Sequence, residues 1–343
     1  MKKILLLSIC IFLNMQVKAQ DDGLEAILLS GVDDANKLTE AYVNPAMKGL
    51  IYSMNGGWYH TAATHKTFGF DFTFGLNASI VPSADEIFKF ADLNLSQGIT
   101  SSSPIGATVA GTNTLEPTIN INREIEGKQV NASFTMPGGV KEDLPISAMP
   151  APAVQFTLGL PKSTEIMLRL VPEVGDTDVK GKLLGIGVKK EITSLFGVSE
   201  KSPLHVSILG AYTTMDVNYN IQNDSSINGS NQEAVFELKA YTVQAIASLN
   251  FPIINFYGGI GYSGGSSTFK MKGTYELEYN TNDPAPNDTK TETLTDPINL
   301  KFDATGIKAT LGTRLSLGFF KIFADYSLQE YNTATAGIAF SFR

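Results

Sequence analysis

The sequence predicts an all-β fold, a transmembrane antiparallel β-barrel of about 12–14 strands behind a short N-terminal helical plug. Three observations predict it. Segment after segment alternates apolar and polar residues with period two, which puts one set of side chains on each face of a strand. After residue 19 no apolar run approaches the roughly 18–20 residues that a spanning helix needs, so any membrane role must use strands. Tight links alternate with long polar ones, an asymmetry typical of outer-membrane barrels. A hydrophobic fraction of 43% and a charged fraction of 17% over 343 residues exclude a disordered chain, which needs high charge and few apolar groups.

Residues 1–19 read as a secretory leader: Lys2 and Lys3, the apolar stretch Ile4 to Leu13, then the small-residue pattern Val17-Lys18-Ala19. Cys10 is the only cysteine and lies in that stretch, so disulfides and thiol chemistry are excluded from the mature chain. The mature chain carries 23 basic against 34 acidic residues, a formal charge of −11. Nucleic acid is a poor partner for such a surface.

Residues 20–48 form a separate segment, with Leu24, Ile27, Leu28, Leu38 and Ala41 at helical spacing. The barrel is expected over 49–343. Its first clean strand runs from Thr67 to Val81, with Phe68, Phe70, Phe72, Phe74, Leu76, Ala78 and Ile80 in one phase. The pattern returns around Phe156, Leu168, Ile186, Val243 and Ile260, then three times in the last forty or so residues, around Leu311, Tyr326 and Ile338. The apolar phase carries no charge in any of these segments.

A soluble sandwich or a lipid-facing barrel would produce such strands, and length favours the barrel: several segments reach about 11–14 residues where tilted membrane strands need about 9–11. Tyr52, Trp58, Tyr212, Tyr241, Tyr262 and Tyr326 lie toward strand ends, as interfacial girdles would. The other phase carries Asp71, Lys308, Arg314 and Asp325, which are expected to face a polar lumen, because a charge facing lipid at the midplane costs about 2–4 kcal/mol. Residues 83–150 read either as further strands or as one large external loop, with Ser83 as an N-cap. Residues 190–196 read as a helical turn on the periplasmic rim.

Catalytic motifs are not evident, and the chain reads as a non-enzyme without metal or cofactor. His60, His65 and His205 have no zinc-ligand spacing. His60 and His65 lie near Thr61 and Thr64, but nothing marks one serine as a nucleophile. Gly259-Ile260-Gly261-Tyr262-Ser263-Gly264 matches a dinucleotide fingerprint by letters only, since no helix follows to receive a pyrophosphate. Asp283, Asp288, Glu292 and Asp296 lack the density of a calcium loop and read as a solvated acidic loop.

Asn44-Pro45-Ala46, after a short helix and before the first strand, resembles the Asn-Pro-Ala element in the hatch of the long-chain fatty-acid transporter family of Gram-negative outer membranes. The terminal Phe340-Ser341-Phe342-Arg343 looks like the strand that the barrel-assembly machinery reads, with the aromatic penultimate instead of last. Asn55-Gly56-Gly57-Trp58-Tyr59-His60-Thr61-Ala62, followed by His65-Lys66 and Gly69-Phe70-Asp71, resembles an uncharacterised outer-membrane family known only as a domain of unknown function. The transporter resemblance implies a fourteen-stranded, plugged barrel in the outer membrane, in contact with its lipid, that admits small hydrophobic molecules passively. Met167, Ile246, Tyr257 and Phe323, apolar but out of phase with lipid, are then either ligand contacts or packing against the plug. Arg314 and Lys308 would meet an anionic head group or pair with Asp325 in the wall. A barrel that transports nothing and serves an envelope or secretion assembly through its loops is the alternative.

Overall fold

The computed structural model describes residues 24–143, 148–175, 178–197, 202–221, 228–281 and 283–342. The expected leader, the first residues of the plug segment and Arg343 lie outside the described residues. A 3-10 turn over Leu24–Ser30 leads into one helix, α1, Val32–Met54. The strands follow as β1 (Phe70–Ile80), β2 (Ile87–Lys89), β3 (Ile99–Ser101), β4 (Ile105–Ala107), β5 (Thr118–Ile125), β6 (Lys128–Thr135), β7 (Ala148–Leu160) and β8 (Thr164–Gly175). After them come β9 (Val179–Glu191), β10 (Leu204–Asn220), β11 (Asn228–Asn250), β12 (Ile254–Thr281), β13 (Thr289–Thr295), β14 (Ile298–Leu317), β15 (Phe320–Leu328) and β16 (Thr333–Phe342).

Fourteen strands share one sheet, but only ten close the cylinder. β1 pairs with β7 on one side and β16 on the other, β7 to β12 follow in order, and β12 passes by way of β14 and β15 back to β16. The β11–β12 pairing, Tyr241 opposite Gly264, seals the ring. The other four, β3, β5, β6 and β13, hang from the far end of β12. A fourteen-stave cylinder is therefore corrected to ten staves with a four-strand extension. The described residues of 83–150 contain β3, β5 and β6 of that extension, the small β2–β4 pair and the start of β7, so this stretch holds extra strands. Ser83 opens a 3-10 turn there, with Pro82 at the cap position. The rim turn expected over 190–196 is a 3-10 turn at Thr193–Phe196, with Lys190 and Glu191 still in β9.

One end of the cylinder carries mostly short turns, at 161–163, 251–253 and 318–319, and the other carries the insertion and β13. The sidedness of the wall inverts between these ends. On β14, Ile307, Leu311 and Leu315 point outward and are exposed, while Lys308 and Thr310 point inward and are buried. Further up the same strand Ile298, Leu300, Phe302 and Ala304 are the buried inner set, and Asn299, Lys301 and Asp303 are outside. β12 does the same: Phe256, Ile260 and Tyr262 are exposed outside, whereas Phe269, Met271, Tyr275, Leu277 and Tyr279 are buried inside the upper part. Along β14 the alternation keeps its phase from end to end; only the polarity of each face changes. The apolar-outside segments, Ile254 to Tyr262 and Ile307 to Leu317, match the about 9–11 residues of a tilted membrane strand. Above them stands a head with a polar outer face and an ordinary apolar core.

α1 runs through both parts. Its 23 residues give an axis of about 35 Å at 1.5 Å per residue. Leu38, Tyr42 and Val43 pack in the head core with Phe134, Tyr275 and Phe302. Further along, Leu50, Ile51, Tyr52 and Met54 pack inside the cylinder against Met149, Leu183 and Tyr331. Asn44, Pro45 and Ala46 lie inside this continuous helix, not after a short one. Pro45 lacks the backbone N–H that would close its turn, and packing along the helix compensates. The inner segment thus continues to residue 69, past the boundary expected at 48, and Tyr52 and Trp58 are buried in the lumen, not girdle residues. Tyr212, Tyr241, Tyr262 and Tyr326 are exposed on the outside.

Candidate functional site

The loop between α1 and β1, residues 55–69, fills the short-turn half of the lumen, and wall side chains bind its backbone. Arg169 on β8, 1% exposed, sets its guanidinium 3.8 Å from the ring centroid of Trp58 and donates to the carbonyls of Met54 and Gly56 at 3.3 and 2.8 Å. Its Nε donates to Gln155, whose Nε2 donates to the Trp58 carbonyl. Lys308 donates to the Asn55 carbonyl at 2.9 Å, and Lys189 to the carbonyls of Thr61 and Ala63 at 3.2 and 3.0 Å. Each contact satisfies a carbonyl of the loop or of the last helical residue, Met54, and leaving one buried and unmet would cost about 1–3 kcal/mol. Space for the large rings comes from glycine: a Cβ at Gly187 would lie 3.0 Å from Trp58, and one at Gly259 2.5 Å from the Tyr59 hydroxyl. The glycines of the Gly259–Gly264 run therefore line a crowded wall.

Met167, Ile246 and Tyr257 are buried around Trp58, Tyr59 and Ala62 in one cluster. Phe323 lies beside it, its ring centroid 5.1 Å from that of His60. Tyr257 donates to Asp325 at 3.0 Å. Among the described residues neither Lys308 nor Arg314 makes an ion pair with Asp325, so the wall pair expected from the sequence is replaced by bonds to the plug. The acidic loop residues also have protein partners: Asp283 pairs with Lys128, Glu292 with Arg123, and Asp296 accepts from the Gly273 N–H. No group of three or more metal-ligating side chains is found among the described residues.

At the short-turn mouth two histidines join loop to wall. Arg314 donates to His60 Nδ1 at 3.0 Å, and since a guanidinium cannot accept, His60 keeps its proton on Nε2, 3.4 Å from Asp71. Burial pushes the His60 imidazole below its ordinary 6.5, with Asp71 opposing and Arg314 adding to the shift. His65 sits between Glu165, 2.6 Å from Nδ1, and the hydroxyl of Ser341, 2.9 Å from Nε2. Glu165 is fully buried and pairs with Lys189 at 2.7 Å, and Asp71 lies 3.5 Å from His65 Nε2.

Inward phase alone pointed to Asp71, Lys308, Arg314 and Asp325, and all four face the lumen side of the wall. The same phase rule would have found Arg169, Glu165 and Lys189, which carry more of the contacts to the loop. Ser341 had no local signal, because it meets His65 across 276 residues of chain.

The chain is similar, at low identity and low superposition score, to several solved structures. Ail, the attachment invasion locus protein of Yersinia pestis, is 8% identical, with 81% of this chain and 100% of that one covered and a TM-score of 0.29. The translocator domain of the autotransporter NalP from Neisseria meningitidis is 11% identical, with 81% and 90% covered and a TM-score of 0.30. The Pseudomonas putida toluene transporter TodX is 9% identical, with 88% and 97% covered and a TM-score of 0.13. No curated protein matches. The run from Asn55 through Asp71, which builds the loop and the start of β1, sits within a match that extends over residues 1–342, and the chain belongs to the family of unknown function DUF6588.

Proposed function

We propose that this protein is an outer-membrane barrel with a stationary plug, and that it works as a platform: the cylinder anchors a rigid head in front of the membrane, where a partner of the envelope binds. The carrying observation is that α1 belongs to two cores at once. Leu38, Tyr42 and Val43 are packed in the head, and Leu50, Ile51 and Met54 in the cylinder. The plug cannot leave the lumen without tearing the head core open. The belt of outward Leu, Ile and Phe supports placement in the outer-membrane bilayer, with the head on the outer side, where such barrels carry their longer loops. β16, ending in outward Phe340 and Phe342, is the strand that would engage the barrel-assembly machinery.

Passive uptake of a small hydrophobic molecule, as in the fatty-acid transporters that the sequence resembles, is the second reading. It is favoured by the apolar cluster of Met167, Ile246 and Tyr257, a bed that such a molecule would occupy if Trp58 and Tyr59 withdrew. A reversible lock separates the two. The Ser53 and Ser79 hydroxyls, on α1 and β1, are 2.8 Å apart and buried, close enough for a disulfide between cysteines. In a Ser53→Cys/Ser79→Cys variant of the cysteine-free mature chain, uptake of a labelled fatty acid into proteoliposomes should stay at background whether the pair is oxidised or reduced. Uptake that appears on reduction and stops on oxidation would establish the transport reading instead.

A further inference from the structure

We propose that Ser341, His65 and Glu165 form a nucleophile, a base and an orienting carboxylate, and that Ser341 and His65 hydrolyse a short acyl ester at the short-turn mouth. The geometry is that of a working relay. Glu165 is fully buried, held by Lys189 at 2.7 Å and by the His65 backbone N–H, and can only accept. His65 Nδ1 must therefore donate to it, at 2.6 Å, which leaves the Nε2 lone pair facing the Ser341 hydroxyl at 2.9 Å. Asp71, 3.5 Å from that Nε2, stabilises the imidazolium formed when the proton moves. Ser341 is half-buried on the inward phase of β16. Its neighbours Phe340 and Phe342 face outward, so a substrate reaches the hydroxyl from the aqueous mouth and not from the bilayer. Trp58, Tyr59 and Met167 fill the space further in, which limits the acyl group to a short one.

In the first step Ser341 Oγ attacks the ester carbonyl, its proton passes to His65 Nε2, and the C–O bond to the alcohol breaks as His65 returns that proton to the leaving oxygen. Water, deprotonated by the same Nε2, then releases the acid and regenerates Ser341. Arg314 and Lys321 point inward on β14 and β15, with Lys321 paired to Ala339, two residues from Ser341. Arg314 is taken up by His60, and the Lys321 ammonium donates to the Gly318 carbonyl at 2.6 Å, so Lys321, diagonal to Ser341 on the same face, is the cation that would turn to the oxyanion as it develops. Glu165 is a positioning residue: it orients His65 and touches no substrate.

The test uses the mature chain folded in detergent, with closure verified by faster gel migration before boiling. A fluorophosphonate should add once, on the peptide that follows Lys321, and Ser341→Ala should abolish the adduct. Turnover of p-nitrophenyl acetate should fall by about 10²–10⁴-fold in His65→Asn. Glu165→Gln should move the acid limb of the pH–rate profile, which a merely structural carboxylate would not do. Because His65 also ties the loop to the wall, Ser341→Ala, which removes one hydroxyl, is the deciding variant. A closed wild-type barrel that takes no label, or equal labelling of Ser341→Ala, overturns the proposal.

Discussion

The guanidinium of Arg169 stacks 3.8 Å from the ring centroid of Trp58 while donating to the carbonyls of Met54, the last residue of α1, and Gly56, two residues into the loop. One wall side chain thus holds the turn where the helix gives way to the lumen loop. The stacked cation contributes about 2 kcal/mol when desolvated, and each carbonyl left unmet costs about 1–3 kcal/mol. Arg169→Ala should lower stability by about 3 kcal/mol or more. The check is a lower temperature at which the folded form disappears from unboiled gels. Arg169→Lys should rescue little, because an ammonium cannot stack and fork at once.

Trp58 is the single tryptophan, so its fluorescence reports the loop alone. A side chain at Gly187 would meet the ring from 3.0 Å. Gly187→Leu should displace Trp58 and shift its emission to the red, while the folded form still migrates faster than the boiled one. An unshifted spectrum in the closed variant would show that the loop is not held where the ring now sits.

Acidification should loosen the loop through His60. Its folded imidazole titrates below the ordinary 6.5 because it is buried, so the released state binds more protons between those two values. Stability is therefore unaffected above about pH 7 and falls as pH drops through 6.5 toward the folded value. His60→Asn should flatten the pH 7 to 5 part of the Trp58 emission profile, leaving the carboxylate effects at lower pH.

The inversion of sidedness predicts opposite tolerance on one strand. Leu311 is 74% exposed on the apolar belt, and Leu311→Arg should cost about 2–4 kcal/mol of folding stability in a bilayer. Lys301→Ala, outward on the same strand but in the head, should stay within about 0.5 kcal/mol. Urea titrations of refolding into thin lipid vesicles compare the two. Equal costs would mean that the belt does not end where the polarity changes.

Sequence alone determined whatever repeats locally. The period-two pattern assigned Phe72, Leu168 and Leu311 to the outside and Asp71, Lys308 and Arg314 to the other face, because successive side chains on any strand must point to opposite sides. The inversion on β12 and β14 was not read from the sequence: Phe269 to Tyr279 and Ile298 to Phe302 are apolar in the opposite phase, and only the folded wall shows that this phase lies inside. Only the tertiary structure decided which strands are neighbours. β1 pairs with β7 across the insertion at 81–147, and four strands join the sheet without closing the ring, because register and partner depend on packing between distant segments, not on any one strand's pattern. The same reason hid the meetings that matter most, Arg169 with Trp58 and Ser341 with His65. Each joins residues whose nearness exists only once the cylinder has closed around its own N-terminal segment.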